Sequence, residues 1–172
     1  MKQIAIVGAG QGGLQAAASL RDGGYDGRLI LIGDEPGLPY QRPPLSKAYL
    51  LGKMGDEDIV LRDPDFFTEY KIELEAETTV SAIERAERRL RLQSGAAIGY
   101  DHLILATGAR NRALSVPGAG LEGVVSIRTL ADTRRLQDLM TSAKTAVVVG
   151  GGFIGLEFAA VAAAQGLKVI VV

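Results

Sequence analysis

The sequence predicts an α/β fold in which two separate βαβ units each open on a glycine-rich loop. The first loop, Gly8-Ala9-Gly10-Gln11-Gly12-Gly13, follows the apolar run Ile4-Ala5-Ile6-Val7. The second, Gly150-Gly151-Gly152-Phe153-Ile154-Gly155, follows Ala146-Val147-Val148-Val149. Each leads into a stretch with apolar residues at helical spacing. Composition agrees: 47% of the 172 residues are hydrophobic but only 5% are aromatic, as in cores built from Val, Ile, Leu and Ala.

The elements follow in order. Residues 4–7 read as a parallel strand covered on both faces. Leu14, Ala17, Ala18 and Leu20 recur at helical spacing, and Gly23-Gly24 stops that helix. Leu29-Ile30-Leu31-Ile32 is the second strand, with its exit at Gly33-Asp34-Glu35. Residues 36–47 are too rich in proline for a regular helix or a central strand. A short helix is expected from Pro44 through Leu50, ending at Gly52, and another over 64–70. Residues 71–93 read as alternating strands that include Val80, Ile83, Leu90 and Leu92. Residues 103–106 read as a buried strand ending in Thr107-Gly108-Ala109-Arg110. Residues 111–123 connect, and Thr129 caps a helix over 130–141. The βαβ pattern then restarts with a strand at 145–149, a helix at 153–165, a stop at Gly166 and a strand at 168–172. These elements divide into a first domain over 1–112, a connecting segment over 113–143 and a second βαβ unit over 144–172. A chain ending inside a parallel sheet reads as a fragment or a truncated species.

Charge and cysteine usage remove several function classes. The formal net charge is −1, so no global basic field draws the chain to nucleic acid or acidic lipid. There is no cysteine and one histidine, which leaves no disulfide, no thiol nucleophile and no Cys/His metal site. This suits a cytoplasmic protein. Met1-Lys2-Gln3-Ile4 enters a strand without a signal-peptide pattern, and no run of about 18 apolar residues predicts a membrane span. The mixed charge run over 84–91 reads as the solvated face of a hairpin, and His102 as structural.

The glycine loops have a specific chemistry. Gly8 permits the tight turn after the strand, Gly10 lets backbone approach a pyrophosphate, and Gly13 lets helix and strand pack closely. Amide groups at the helix start then face the phosphates with the helix dipole behind them. An acid about 20 residues further on is expected to accept bonds from ribose hydroxyls. Asp34 and Glu35 stand there. In the second loop Gly150 turns, Gly152 admits phosphate and Gly155 packs. Its acid would lie beyond Val172. Two such loops point to two dinucleotides, and the usual reason to hold two is to pass electrons between them.

Further segments carry a resemblance. In chain order these are residues 8–13, Pro39-Tyr40-Gln41-Arg42-Pro43-Pro44-Leu45-Ser46-Lys47, Ala106-Thr107-Gly108-Ala109-Arg110, Arg128-Thr129-Leu130 and residues 150–157. The chain resembles the FAD-dependent NADH:ferredoxin reductases that serve bacterial cytochromes P450 and Rieske oxygenases, within the two-dinucleotide flavoproteins of the glutathione reductase type. The resemblance implies a Rossmann-like FAD-binding domain followed by the start of an NAD-binding domain. It implies FAD and NADH as cofactors and a 2Fe–2S ferredoxin as acceptor. Carried over by position, Gly12, Asp34, Lys47, Val80 and Arg128 match flavin contacts, and Arg42 joins them near the phosphates. Ala106, Thr107 and Gly108 bring backbone to the flavin nucleotide, and Ile154 accompanies the second loop. Lys47 is expected beside the flavin ring, paired with Glu157, and Phe153 is expected to cover the ring face. A redox cysteine pair of the disulfide reductases is replaced here by proline, serine and lysine. Alternative readings are an NADH oxidase, a monodehydroascorbate-type reductase, or a non-catalytic nucleotide-binding fragment. The exposed edge at 169–172 is expected to favour pairing with a second copy.

Overall fold

In the computed structural model, which describes residues 2–172, the N-terminal apolar run is β1 (Gln3–Val7), followed by α1 (Gln11–Asp22) and β2 (Arg28–Ile32). A single 3-10 turn (Pro43–Ser46) precedes α2 (Asp56–Ile59), α3 (Pro64–Glu69) and β3 (Ile72–Glu75). Next come β4 (Val80–Glu84), β5 (Arg89–Leu92), β6 (Ala97–Gly99) and β7 (His102–Leu105). The remainder is α4 (Leu130–Met140), β8 (Thr145–Val148), α5 (Phe153–Ala164) and β9 (Lys168–Val171). The mixed α/β class and the parallel βαβ units are those the sequence predicts.

One compact unit holds the chain up to Tyr40 together with Val60–Ala109. Its main sheet has the order β3-β2-β1-β7, all parallel, with Ile4 opposite Leu29 and His102. Side chains alternate across this sheet with period two. Ile4, Ile6, Leu29 and Leu31 face Leu14 and Ala17 of α1 and Phe67 of α3. Ala5, Ile30 and Ile32 face the other way, onto Leu90, Val80 and Ile98 of the antiparallel sheet β4-β5-β6. Burial on both faces explains why β2 reads as an unbroken apolar run. Residues Leu29 to Ile32 are at most 1% exposed, and each such side chain contributes about 1.5–3 kcal/mol relative to exposure.

Arg21 closes the helix side of this layer. Its Nε donates to Tyr70 O at 2.7 Å, Nη1 to Tyr25 O and Gly27 O at 2.6 and 2.8 Å, and Nη2 to Lys71 O at 2.7 Å. One guanidinium thus satisfies carbonyls at the end of α1, before β2 and after α3. The charge run over 84–91 forms the β4–β5 hairpin, where Glu84 accepts from Arg89 at 2.6 Å and also pairs with Arg91. Its exposed charges make it the solvated face the sequence predicts.

The other compact unit holds Gln41–Ile59 and Arg110–Val172. β8 and β9 form a parallel two-stranded sheet crossed over by α5, with Thr145 opposite Lys168. Leu50, Leu136, Met140, Val161 and Ala162 form its core. Thr129 caps α4 as expected, in a reciprocal box with Asp132 at 3.1 and 2.8 Å. Buried Tyr49 donates to Asp56 Oδ1 at 2.6 Å, Arg134 of α4 pairs with the same carboxylate, and Gln137 Nε2 reaches Tyr49 O at 2.9 Å. Burial and the Asp56 carboxylate together push the Tyr49 hydroxyl up from its ordinary value.

Several details differ from the sequence reading, among them the short helix α2, which the sequence reading lacked. The helix expected from Pro44 through Leu50 is only the 3-10 turn, because Lys47 (φ −130°, ψ −112°) leaves the helical region and the chain continues in turns to Gly52. The strand at 103–106 is β7, which is half-buried rather than buried; among the described residues it pairs with β1 alone, and Leu105 stays 58% exposed. β6 was not anticipated, since three residues with one half-buried side chain, Ile98, show no alternation. Finally, residues 41–59 group by contact with 110–172, whereas the sequence segmentation kept them within 1–112.

Replacing Arg21 with alanine orphans several carbonyls at once. Urea denaturation of R21A is expected to show a loss of about 2–4 kcal/mol relative to wild type. An unchanged unfolding midpoint would refute the stapling role.

Candidate dinucleotide loops and the Lys47–Glu157 pair

The turn after β1 is built on contacts that exclude side chains. Gly8 has φ +111°, and a Cβ there would lie 2.2 Å from Ala106 O. A Cβ on residue 13 would lie 1.8 Å from Gly8 O, so the first turn of α1 rests directly on the strand-end carbonyl. Gly10 occupies the N-cap of α1 with extended backbone and makes no side-chain cap hydrogen bond. The helix ladder begins with Leu14 N donating to Gly10 O at 3.0 Å, leaving the preceding amides at the helix start without intrahelical acceptors. Cβ atoms built on Gly10 and Gly12 would meet nothing within 4 Å. Open space, free donors and the positive end of a helix dipole together fit a pyrophosphate.

The acids stand beside this loop. A Cβ on Gly33 would meet the Ala9 side chain at 2.6 Å, so the exit of β2 abuts the loop. Asp34 is exposed, while half-buried Glu35 accepts a hydrogen bond from the Tyr40 hydroxyl. On the other side Ala106 N donates to Val7 O at 2.8 Å, and exposed Thr107 and Gly108 (φ +69°) follow. Val80 packs against the Ala5, Ile30, Ile32 and Leu90 cluster.

The second loop repeats the first. Gly150 has φ +109°, Gly152 caps α5 with extended backbone, and Leu156 N donates to Gly152 O at 3.0 Å. A Cβ on Gly155 would lie 2.3 Å from Gly150 O, while one on Gly152 would meet nothing within 4 Å. Phe153 is 89% exposed and Ile154 54% exposed, so neither serves as core packing.

Two further groups of site residues come together in the unit that holds this loop. Lys47 Nζ lies 3.0 Å from Glu157 Oε1, the pair the family resemblance implies. Ser46 Oγ donates to Glu157 Oε2 at 2.6 Å. The Ser46 hydroxyl and the Lys47 ammonium hold the Glu157 carboxyl below the usual carboxylate range. Arg42 Nη1 donates to Arg128 O at 2.6 Å, and Arg128 N donates to Asp132 Oδ2 at 3.0 Å. Ser46, Tyr40 and Asp132 were absent from the sequence-predicted site. Ser46 and Tyr40 lie in the proline-rich motif, but a serine or tyrosine there carries no periodic signal. Among the described residues no group of His, Cys, Asp and Glu is placed to hold a metal ion, and no helix is long and apolar enough to cross a membrane.

Comparison with known proteins gives a consistent set of relatives. A family model described as pyridine nucleotide-disulphide oxidoreductase matches residues 2–172. Rhodocoxin reductase of Rhodococcus erythropolis is 52% identical over 169 residues, covering 98% of this chain and 40% of that protein. The crystal structure of a ferredoxin reductase from Rhodopseudomonas palustris superposes with TM-score 0.95 at 50% identity, over 99% of this chain and 42% of that one. The covalent putidaredoxin reductase–putidaredoxin complex gives TM-score 0.92 at 39% identity, with the same 99% and 42% coverage. The chain therefore spans about two fifths of the length of the curated relatives it matches.

Two measurements check this geometry. Gly13→Ala pushes a methyl into Gly8 O and is expected to destabilise the fold by about 1–3 kcal/mol, while Gly12→Ala is expected to stay within about 0.5 kcal/mol of wild type. Equal thermal midpoints for the two variants would contradict the close-approach argument. Because the folded Glu157 carboxyl lies below its unfolded value, the stabilisation is complete above the ordinary carboxylate range. It is lost as pH falls through the lowered folded value. A carbon-13 carboxyl titration should show this lowered midpoint, and Lys47→Met should raise it; an ordinary midpoint in wild type would contradict the pairing.

Proposed function

Because the chain belongs to the pyridine nucleotide-disulphide oxidoreductase family, we propose that it is the dinucleotide-binding part of an NADH-dependent flavoprotein reductase whose acceptor is a 2Fe–2S ferredoxin. The observation that carries this reading is the duplicated glycine loop, with matched turns at Gly8 and Gly150 and open cradles at Gly10, Gly12 and Gly152. The names of the relatives, rhodocoxin reductase and ferredoxin reductase, support the choice of acceptor.

Under this reading the amides at the start of α1, after the turn at Gly8, hold the FAD pyrophosphate, and Asp34 and Glu35 bind a ribose. Arg42, Val80, Ala106, Thr107, Gly108 and Arg128 supply further FAD contacts. Gly150, Gly152, Ile154 and Gly155 receive NADH. FAD, when bound, supplies the chemistry that joins a two-electron donor to a one-electron acceptor. Lys47 presents a cation held by Glu157, which favours an electron-rich ligand ring. Phe153, exposed at the start of α5, shields a ligand face and moves aside for a second ligand. Within this chain no cysteine exists to relay electrons through a thiol. The oxygenase served is of the cytochrome P450 or Rieske type, and the site of action is the cytoplasm. The two-stranded β8–β9 sheet leaves Ile170, Val171 and Val172 exposed, and pairing of this edge with a second copy completes the proposal.

The test is retention of flavin. The purified chain, mixed with FAD and freed of excess, is expected to keep the visible absorbance of an oxidised flavin, and Gly12→Ala to lose it while remaining folded. A wild-type chain that retains none would remove the first loop from the proposal. Size-exclusion chromatography should show dimer growing with concentration, and a monomer at the highest concentration would exclude edge pairing.

A further inference from the structure

Glu157 is held at both oxygens by neighbouring residues. Lys47 Nζ takes Oε1 at 3.0 Å and Ser46 Oγ takes Oε2 at 2.6 Å. The two partners differ in freedom. The Lys47 side chain is 52% exposed and hangs on a flexible stem, whereas Ser46 is 4% exposed and fixed as the last residue of the 3-10 turn. A solvent-exposed lysine–carboxylate pair is by itself weak, since both side chains lose rotamer freedom to form it. A carboxylate with one anchor also turns about its last bond and can meet an ammonium from several directions. A buried hydroxyl on the other oxygen removes that rotation.

We propose that Ser46 is a positioning residue for Lys47: its hydroxyl fixes the plane of the Glu157 carboxylate, and the remaining oxygen then fixes the ammonium. The proline pair serves the same end. Pro43 and Pro44 preset the backbone of the 3-10 turn, so the Ser46 hydroxyl reaches α5 without an entropic search. Glu157 lies two positions beyond Gly155, so the anchor joins the second glycine helix to the turn that carries Lys47. This inference rests on the proposed function only for the task it gives Lys47; the arrangement of the three side chains stands without it.

The test uses the 172-residue chain without cofactor, so failure of flavin binding is read separately. Nitrogen-15 NMR of the lysine ammonium groups measures how fast the Lys47 protons exchange with water. Wild type is expected to show one protected ammonium, assigned by its loss in Lys47→Met. Ser46→Ala is expected to speed its exchange several-fold, and Ser46→Thr, which keeps the hydroxyl, to restore slow exchange. Glu157→Gln should release Lys47 as fully as Ser46→Ala does or more. Amide spectra confirm that each variant is folded. If the alanine variant is not, Ser46→Cys, similar in size but a weak donor, takes its place with the same expected speeding. Equal exchange in wild type and the alanine or cysteine variant overturns the proposal. Fast exchange in a folded threonine variant overturns it as well, because it assigns the effect to packing rather than to the hydroxyl.

Discussion

The carbonyl oxygen of Gly8 stands where a Cβ on residue 13 would be. That contact sets the distance between the end of β1 and the first turn of α1, and much else in the first unit depends on it. It lets Ala17 and Leu14 settle on Ile4, Ile6, Leu29 and Leu31 without a gap. It also aims the helix start at the open ground beside Gly10 and Gly12 rather than at protein. Gly155 and Gly150 repeat the contact in the second unit. The same backbone economy therefore produces two open helix starts from unrelated flanking side chains.

Irregular segments in this chain are held by polar side chains rather than by ladders. Arg21 gathers carbonyls from two connections, α1–β2 and α3–β3, and Tyr49, Asp56, Arg134 and Gln137 tie residues 49–56 to α4. The proline-rich segment at 36–47 is held in the same manner, by Arg42 on Arg128 O and Ser46 on Glu157, although only four of its residues form a helical turn. Order there matters because the segment carries Arg42, Ser46 and Lys47. A lysine on a solvated loop would sample many positions; here the turn, the serine and the glutamate limit it.

The family is named for disulfide chemistry, yet this chain has no cysteine. Between β2 and α2 stand prolines, a buried serine and a lysine paired with a carboxylate. A hydroxyl and an ion pair orient and stabilise charge but do not exchange electrons. The local chemistry of this segment is electrostatic.

Periodic and glycine-coded features were legible in the sequence. The apolar runs at 4–7 and 29–32 dictate strands buried on both faces, and the glycines at 8, 13, 150 and 155 dictate turns that admit no Cβ. The Thr129 cap and the charged hairpin follow from side-chain chemistry acting over a few residues. The Lys47–Glu157 pair was legible only through the family resemblance, since nothing local links two residues so far apart. Tertiary structure alone decided that residues 41–59 pack with 110–172, because the contacts of Leu50 and Tyr49 are long-range. It alone left β7 half-exposed, because strand order rather than hydrophobicity sets how many neighbours a strand has. It also turned Ser46 inward onto Glu157, since a hydroxyl that can bond to water or to protein takes its partner from whatever the fold places beside it.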